Sequence, residues 1–295
     1  MEKLSGNIQF NEESLLLLNI CIGFILFGIA LDLKGSDFKL VLTSPRSAIA
    51  GFVSQFLFLP AVTALLIWLF EIPTGYALGM ILVAACPGGN ISNFISHLAK
   101  ANTALSVSMT ALATASAAVL TPINFTFWSQ LLFDNLDTEY FTLDPLKLAE
   151  TIFLIMAVPI MLGMAFNFKF PSKALLIKKP VRILSMIIFV GFIVIAIAQN
   201  FDVFTAHFSE IFLLVLMHNA LAYTVGFLVG FILKVPLADK KTIVIETGIQ
   251  NSALGLVIIF SFFNGAADMA LIAAWWGVWH GISGSALAFI LSRYR

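Results

Sequence analysis

Long apolar runs, separated by short polar or charged stretches, recur along almost the whole chain. Nine of these runs are each about the length that a helix needs to cross a bilayer. Their approximate bounds are 14–33, 47–70, 74–98, 103–127, 148–168, 181–200, 210–233, 243–263 and 269–291. Because the strict alternation typical of membrane β-strands is absent, the pattern predicts an all-α polytopic membrane protein, with residues 1–295 forming a single transmembrane domain.

The composition also favours a membrane-embedded chain. Of its 295 residues, 60% are hydrophobic and 11% are charged, whereas about a quarter of the residues in soluble domains are charged. The formal net charge is zero, which gives no basic footprint for a nucleic acid. Cys21 and Cys86 both lie in apolar segments and predict no disulfide framework. No sequence feature indicates an obligatory protein partner.

The charges between the segments predict an orientation. All but Lys3 and Lys147 of the 16 basic residues fall in alternate connections, while the opposite connections are mainly acidic. The positive-inside rule then places the N-terminus outside and the C-terminus in the cytoplasm, which fits an odd number of segments. Residues 1–13 are polar and acidic, unlike a cleavable signal peptide, so we expect a bacterial inner membrane.

Two of the apolar segments carry helix-breaking sequences near their middle. The third contains Cys86-Pro-Gly-Gly-Asn-Ile-Ser-Asn93, and the eighth contains Glu246-Thr-Gly-Ile-Gln-Asn-Ser252. Interrupted helices at comparable positions in the two halves of a chain indicate a transport site, with unwound carbonyl groups for a cation and half-helix N-termini for an anion. The alternative is a pair of kinks that serve only helix packing.

Glu246 is the most informative residue of these segments. An ionised side chain at membrane depth costs several kcal/mol unless something pairs with it. The small and polar residues after it resemble a cation cage; they are Gly248, Gln250, Asn251 and Ser252. Ser106 and Thr110, four residues apart on one helix face, and the amide of Gln55 are further candidates, although Ser and Thr in membrane helices often bond their own backbone.

Taken together, the motifs resemble the bile acid:sodium symporter family. The resemblance rests on the two interrupted stretches and on shorter matches along nearly the whole chain. These are Phe27–Leu31 with Asp37-Phe38 and Pro45-Arg46, Cys86–Asn93, Leu98–Lys100, Ala104–Thr110, Leu120–Pro122, Ile245–Leu254 and Trp279–Ser285.

The resemblance implies an inverted-repeat transporter with a panel and a core, in which two discontinuous helices cross. The chain matches a nine-helix form that lacks the first helix of the ten-helix form. The panel would contain 14–33, 148–168 and 181–200. The core would contain 47–70, 74–98, 103–127, 210–233, 243–263 and 269–291.

The resemblance also implies two Na⁺ ions that share Glu246. The ligands of the first ion would be Ser92, Asn93, Ser106, Thr110 and Glu246. Those of the second would be Gln55, Glu246, Thr247, Ile249 (through its carbonyl) and Gln250. The substrate would lie near Asn90, Asn251, His280 and Gly281, and Asn90 and Gly281 depart from the family pattern, so the cargo is not assumed to be a bile acid.

The leading functional hypothesis is a Na⁺-coupled symporter that imports an organic anion, bile-acid-like or a small carboxylate, by alternating access. In the alternative, Glu246 titrates and the protein is a proton-coupled carrier or an exchanger. A channel, a receptor or an intramembrane enzyme is a remote alternative, and we expect no enzymatic activity. For His280, substrate contact and a helix–helix hydrogen bond both stay open.

Overall fold

The computed structural model describes residues 20–21, 23–28, 30–31, 44–133, 145–199, 201–263 and 265–294. Within these residues every regular element is helical, apart from one isolated β-bridge. From residue 44 onward we number the helices α1 Pro45–Phe70, α2 Thr74–Ala85, α3 Ile91–Leu98, α4 Thr103–Leu132, α5 Pro145–Lys169, α6 Pro171–Gln199, α7 Phe201–Ala206, α8 Phe208–Ile232, α9 Leu237–Gly248, α10 Ser252–Phe262 and α11 Ala267–Leu291.

Among the described residues, the helices α1, α4 and α8 are each long and apolar enough to cross a membrane. Shorter apolar helices cover Thr74–Ala85, Ala157–Lys169 and Ser252–Phe262. The predicted all-helical architecture is therefore confirmed, while the count of nine spans stays a prediction. Half of the first predicted segment and residues 134–144 of the long connection lie outside the described residues.

Two helices begin earlier than their hydrophobicity predicts. Helix α6 begins at Pro171 rather than near 181, and α9 begins at Leu237 rather than near 243. The added turns carry Lys173 and Lys240, which hydrophobicity assigns to loops. Lysine is nevertheless a good helix former whose long aliphatic stem packs against apolar surface, so a helix can extend beyond its apolar stretch.

The main apolar core surrounds α2, α10 and α11. Every residue of α2 except Thr74 is buried, and the large side chains of Trp276 and Phe260 are fully enclosed in the same cluster. The outer faces of α1 and α8 expose large apolar side chains such as Trp68 and Phe231. Such a surface suits hydrocarbon better than water, because exposed apolar patches of this extent are rare on soluble proteins.

Helix α1 contains one wide turn, the π-helical stretch Ser54–Phe58. The amide of Leu59 reaches back five residues to the carbonyl of Ser54. Pro60 follows directly and has no amide hydrogen for a regular α-helical bond, which favours an irregular ladder here. Such π turns often lie at functional sites. This one directs the consecutive side chains of Ser54 and Gln55 toward α9.

Candidate ion site at two helix breaks

The predicted interruptions are present, and they lie against each other. The chain leaves the helix between Ala85 and Ile91, and again between Gly248 and Ser252. The two breaks are joined by an isolated antiparallel bridge between Gly88 and Gln250. Its backbone hydrogen bonds run from Gly89 N to Ile249 O (2.8 Å) and from Asn251 N to Pro87 O (2.8 Å). Each break therefore supplies hydrogen-bond partners that the other needs inside an apolar core.

Gly88 allows this close approach. A β-carbon built at Gly88 would lie 2.8 Å from Glu246 Oε2 and 3.0 Å from Gln55 Nε2. Both neighbours are buried polar atoms that belong to the candidate site. Any larger residue would therefore separate the breaks or displace the carboxylate.

The carboxylate of Glu246 is fully buried and is surrounded by hydroxyl groups. The hydroxyl of Ser92 donates to Oε1 at 2.5 Å, and that of Ser106 donates to the same oxygen. The hydroxyl of Thr110 lies 3.2 Å from Oε1 and 3.1 Å from Oε2. Among the described residues no basic side chain forms a salt bridge with Glu246. The site thus holds an acidic group in an apolar interior without a protein counter-charge, an arrangement that favours a bound cation.

Asn93 lies on the opposite side of the same hydroxyl groups. Its Oδ1 is 2.9 Å from the Ser106 hydroxyl and 3.3 Å from the Thr110 hydroxyl. A hydroxyl has one hydrogen to donate, so it cannot bond to Asn93 and Glu246 fully at the same time. The cluster therefore contains more acceptor oxygens than hydrogens, and oxygen is the ligand atom that hard cations prefer.

Three side-chain amides occupy the carbonyl groups that are freed where α9 ends. Gln55 Nε2 donates to Glu246 O at 3.0 Å, and Gln250 Nε2 donates to Thr247 O at 2.7 Å. Asn219 Nδ2 donates to Gly248 O at 2.7 Å. Since these bonds fix the NH₂ ends of the amides, the oxygen ends are left as acceptors. The Oε1 atom of Gln250 is buried and has no partner in the described part of the chain.

The other two residues of the predicted second ion site already have partners. The hydroxyl of Thr247 donates to Ile243 O at 2.8 Å and lies 2.5 Å from the hydroxyl of Ser54. The carbonyl of Ile249 accepts the bridge hydrogen bond from Gly89. A carbonyl has two lone pairs, so this bond leaves one free for a cation.

All the predicted ion ligands are thus brought to one place. Ser92, Asn93, Ser106, Thr110 and Glu246 share one network, and Gln55 and Gln250 adjoin it at the end of α9. Sequence reasoning missed two residues that contact the end of α9 beside the site: Ser54, which contacts the Thr247 hydroxyl, and Asn219, which donates to Gly248 O. Ser54 had a signal in its position next to Gln55, whereas Asn219 is only a single polar residue within the seventh predicted segment and carries no signal of its own.

The predicted substrate residues are more dispersed. Asn90 is exposed at the start of α3, and Asn251 starts α10, where its side chain accepts from Leu254 N at 3.1 Å. His280 on α11 is buried, and its Nδ1 has no partner among the described residues. A β-carbon at Gly281 would meet nothing within 4 Å. Helix α11 packs against α3, which follows the bridge directly. The open space at Gly281 and the unused His280 ring nitrogen are therefore on a helix that neighbours the bridge.

Comparisons with known proteins identify a family and relatives of this chain. Residues 19–207 match the model of the Sodium Bile acid symporter family. The uncharacterized sodium-dependent transporter YocS of Bacillus subtilis is 33% identical over 94% of this chain and 83% of its own length. The probable sodium/metabolite cotransporter BASS1, chloroplastic, of Arabidopsis thaliana is 32% identical over 91% of this chain, which spans 65% of that relative. The human P3 protein is 28% identical over 85% of this chain and 52% of its own length.

Proposed function

Because the chain belongs to the Sodium Bile acid symporter family, we propose that it is a Na⁺-coupled symporter that carries an organic anion across the membrane. One observation carries the proposal. Glu246 is a fully buried carboxylate that has hydroxyl neighbours and no basic partner in the described part of the chain. A monovalent cation bound beside it supplies the missing counter-charge.

The first Na⁺ would bind among Ser92, Asn93, Ser106, Thr110 and Glu246. Their oxygen atoms already converge, and a cation would relieve the competition for hydroxyl hydrogens described above. With the ion present, each hydroxyl directs a lone pair to Na⁺ and keeps its hydrogen for one acceptor. The ion thus satisfies the excess of acceptor oxygens.

The second Na⁺ would bind among Gln55, Glu246, Thr247, Ile249 and Gln250. Support comes from the unpartnered Gln250 Oε1 and from the amide orientation of Gln55, whose NH₂ group is held by Glu246 O. Two cations beside one carboxylate leave a net positive charge at the bridge. The partly positive N-termini of α3 and α10 add to that field. Ion binding would therefore attract an anion, which is how the two cargoes are coupled.

We place the anion against Asn90, Asn251, His280 and Gly281. The open space at Gly281 and the unpartnered His280 Nδ1 suit an added molecule. The substrate class is an organic anion, either bile-acid-like or a small carboxylate. Because the Nδ1 atom of His280 has no hydrogen-bond partner within the described chain, substrate contact is the better-supported of its two roles.

The chain is a multi-pass membrane protein, and we propose that it works by alternating access. The core, with the bridge at its centre, would move against a panel of the first, fifth and sixth predicted segments and expose the site to each side in turn. The basic connections would face the cytoplasm, so that Na⁺ entering down its gradient drives the anion inward.

Transport into proteoliposomes tests the proposal. A thermal-shift screen of organic anions in NaCl and in KCl identifies a ligand, since binding to the folded state raises its stability. Uptake of that anion is then measured at fixed pH with and without inward Na⁺. The expected result is accumulation that requires Na⁺. Accumulation that is indifferent to Na⁺ and follows a pH gradient would instead support a proton-coupled carrier, with Glu246 as its proton site.

A further inference from the structure

A second polar network joins the end of α9 to α11. Asn219 of α8 exposes only 1% of its surface and forms hydrogen bonds through both ends of its side-chain amide. Its Nδ2 donates to Gly248 O at 2.7 Å, and its Oδ1 accepts from the hydroxyl of Ser283 at 2.7 Å. A backbone carbonyl only accepts, so these partners fix the amide orientation.

Tyr223, one turn further along α8, completes the network. Its hydroxyl lies 3.1 Å from that of Ser283. Since the Ser283 hydrogen is given to Asn219, Tyr223 is the donor in this contact. A β-carbon at Gly248 would overlap the Tyr223 ring, and one at Gly284 would lie 3.5 Å from its hydroxyl. Gly248 therefore makes room for the tyrosine ring, whereas a side chain at position 284 would only touch its hydroxyl.

The hydrogen bonds form a directed series from Tyr223 to Ser283, from Ser283 to Asn219, and from Asn219 to Gly248 O. One end is a carbonyl two residues after Glu246, next to the residues assigned to the second ion. Ser283, in the middle of the series, lies three residues after His280, one helical turn from the residues assigned to the anion. Asn219 bonds to both Gly248 O and the Ser283 hydroxyl, so a movement of α9 or α11 at these residues must be followed by the other helix or must break one of the two hydrogen bonds.

We propose that Asn219, Ser283 and Tyr223 are positioning residues that transmit cation occupancy at the end of α9 to the anion-facing turn of α11. This inference rests on the proposed function. A cation bound near residues 246–250 changes the position of the Gly248 carbonyl, and Asn219 carries the change to Ser283. The network therefore links the two sites through α8 without itself touching either cargo.

Tryptophan fluorescence tests the inference with Na⁺ alone. Trp275, Trp276 and Trp279 all lie on α11, and Trp68→Phe with Trp128→Phe removes the other two tryptophans. In this background, K⁺ is replaced stepwise by Na⁺ at constant ionic strength. The tryptophan emission should change, and the Na⁺ concentration at half of the full change should equal the one found by thermal shift. The Ser283→Ala variant should still be stabilised by Na⁺, with half-saturation raised roughly three- to tenfold, because it loses the part-buried bond to Asn219 together with the contact to Tyr223. At saturating Na⁺, the emission change of this variant should be less than half of the change in the background protein.

Matched variants separate positioning from packing. Ser283→Thr keeps the hydroxyl and should restore the emission change. Tyr223→Phe leaves the Ser283–Asn219 bond intact and should give an intermediate loss, and it also serves if Ser283→Ala does not fold. Thr224→Ala is the control on α8, because this exposed hydroxyl donates only to Ala220 O of its own helix (2.8 Å). It should leave both readouts unchanged.

The outcomes distinguish the two proposals. If Na⁺ neither stabilises the background protein nor changes its emission, the proposed function fails and this inference fails with it. If Na⁺ stabilises the protein but the emission does not change, or if Ser283→Ala and Tyr223→Phe both keep the full change with unaltered half-saturation, only the coupling through Asn219 is overturned.

Discussion

The substitution Glu246→Gln removes the charge of this side chain and keeps its shape, so it is the most direct test of the ion site. In Glu246→Gln, one oxygen can still accept from the Ser92 and Ser106 hydroxyls, so the buried network keeps part of its hydrogen bonding. The change removes the negative charge from a site in which, among the described residues, no basic side chain balances it. We therefore expect a protein that is at least as stable in K⁺ as the wild type and insensitive to Na⁺.

The size of the effect follows from the buried geometry. A Na⁺ ion about 4 Å from the carboxylate charge gains about 4 kcal/mol at an effective dielectric constant of about 20. Since about 1.4 kcal/mol corresponds to a tenfold change, Gln should weaken Na⁺ binding roughly a thousandfold. At a concentration of about 100 times Kd, Na⁺ stabilises the wild type by about 2.7 kcal/mol, and the variant would keep less than about 0.1 kcal/mol.

The assay is the midpoint of thermal unfolding in NaCl and in KCl at equal ionic strength, supported by direct ²²Na⁺ binding. The control is Glu71→Gln, which neutralises an exposed carboxylate between α1 and α2. It should keep the full Na⁺-dependent rise in the midpoint. Full Na⁺ stabilisation of Glu246→Gln would refute the reasoning, because the charge would then be irrelevant to the ion.

Three further variants probe other parts of the arrangement. Gly88→Ala should abolish Na⁺-dependent stabilisation because its methyl group collides with the Glu246 and Gln55 side chains, whereas Gly281→Ala enters open space and should keep it; equal thermal shifts for the two would contradict the close approach. Gln55→Ala should raise the Na⁺ half-saturation by about tenfold, through the loss of the Glu246 O partner, and weaken anion binding less; equal losses in paired titrations would argue against a separate second ion site. Asp239→Ala removes a buried acceptor of hydrogen bonds from side chains near the starts of α1 and α4, so it should lower the unfolding free energy by about 1–3 kcal/mol in Na⁺ and K⁺ alike. A selective loss in Na⁺ would place Asp239 in the ion site instead.

Sequence reasoning located the breaks because their chemistry is local. Pro87 followed by Gly88 and Gly89 combines a missing amide hydrogen with two flexible positions, a combination that favours a break more than the single prolines Pro122 and Pro159, which stand inside continuous helices. The break after Glu246 has its own glycine and polar run. Helix starts were predicted less well. Helices α6 and α9 begin before the apolar stretches that the sequence marks, because hydrophobicity reports lipid contact whereas a helix also continues through lysine-bearing turns outside the apolar stretch.

The contacts of the site were beyond sequence reasoning where they depend on distant elements. Ser92 and Glu246 are separated by 154 positions, and Ser54 and Thr247 by 193. The resemblance to a family placed most of these residues in one set, but not Ser54, whose hydroxyl contacts Thr247 of α9 from the π turn. Asn219 was readable as a buried amide, but its two partners on α9 and α11 were not.

By itself the sequence determined that the chain is helical and apolar, where two helices break, and that one carboxylate lies within an apolar stretch, because hydrophobic periodicity, proline, glycine and charge act over a few residues. Only the tertiary structure decided that the two breaks hydrogen-bond to each other, that three amides cap the broken end of α9, and that hydroxyls from α3 and α4 surround Glu246. These contacts depend on how helices pack. A buried polar group takes whichever partner the packing brings within reach, and no local pattern specifies that partner.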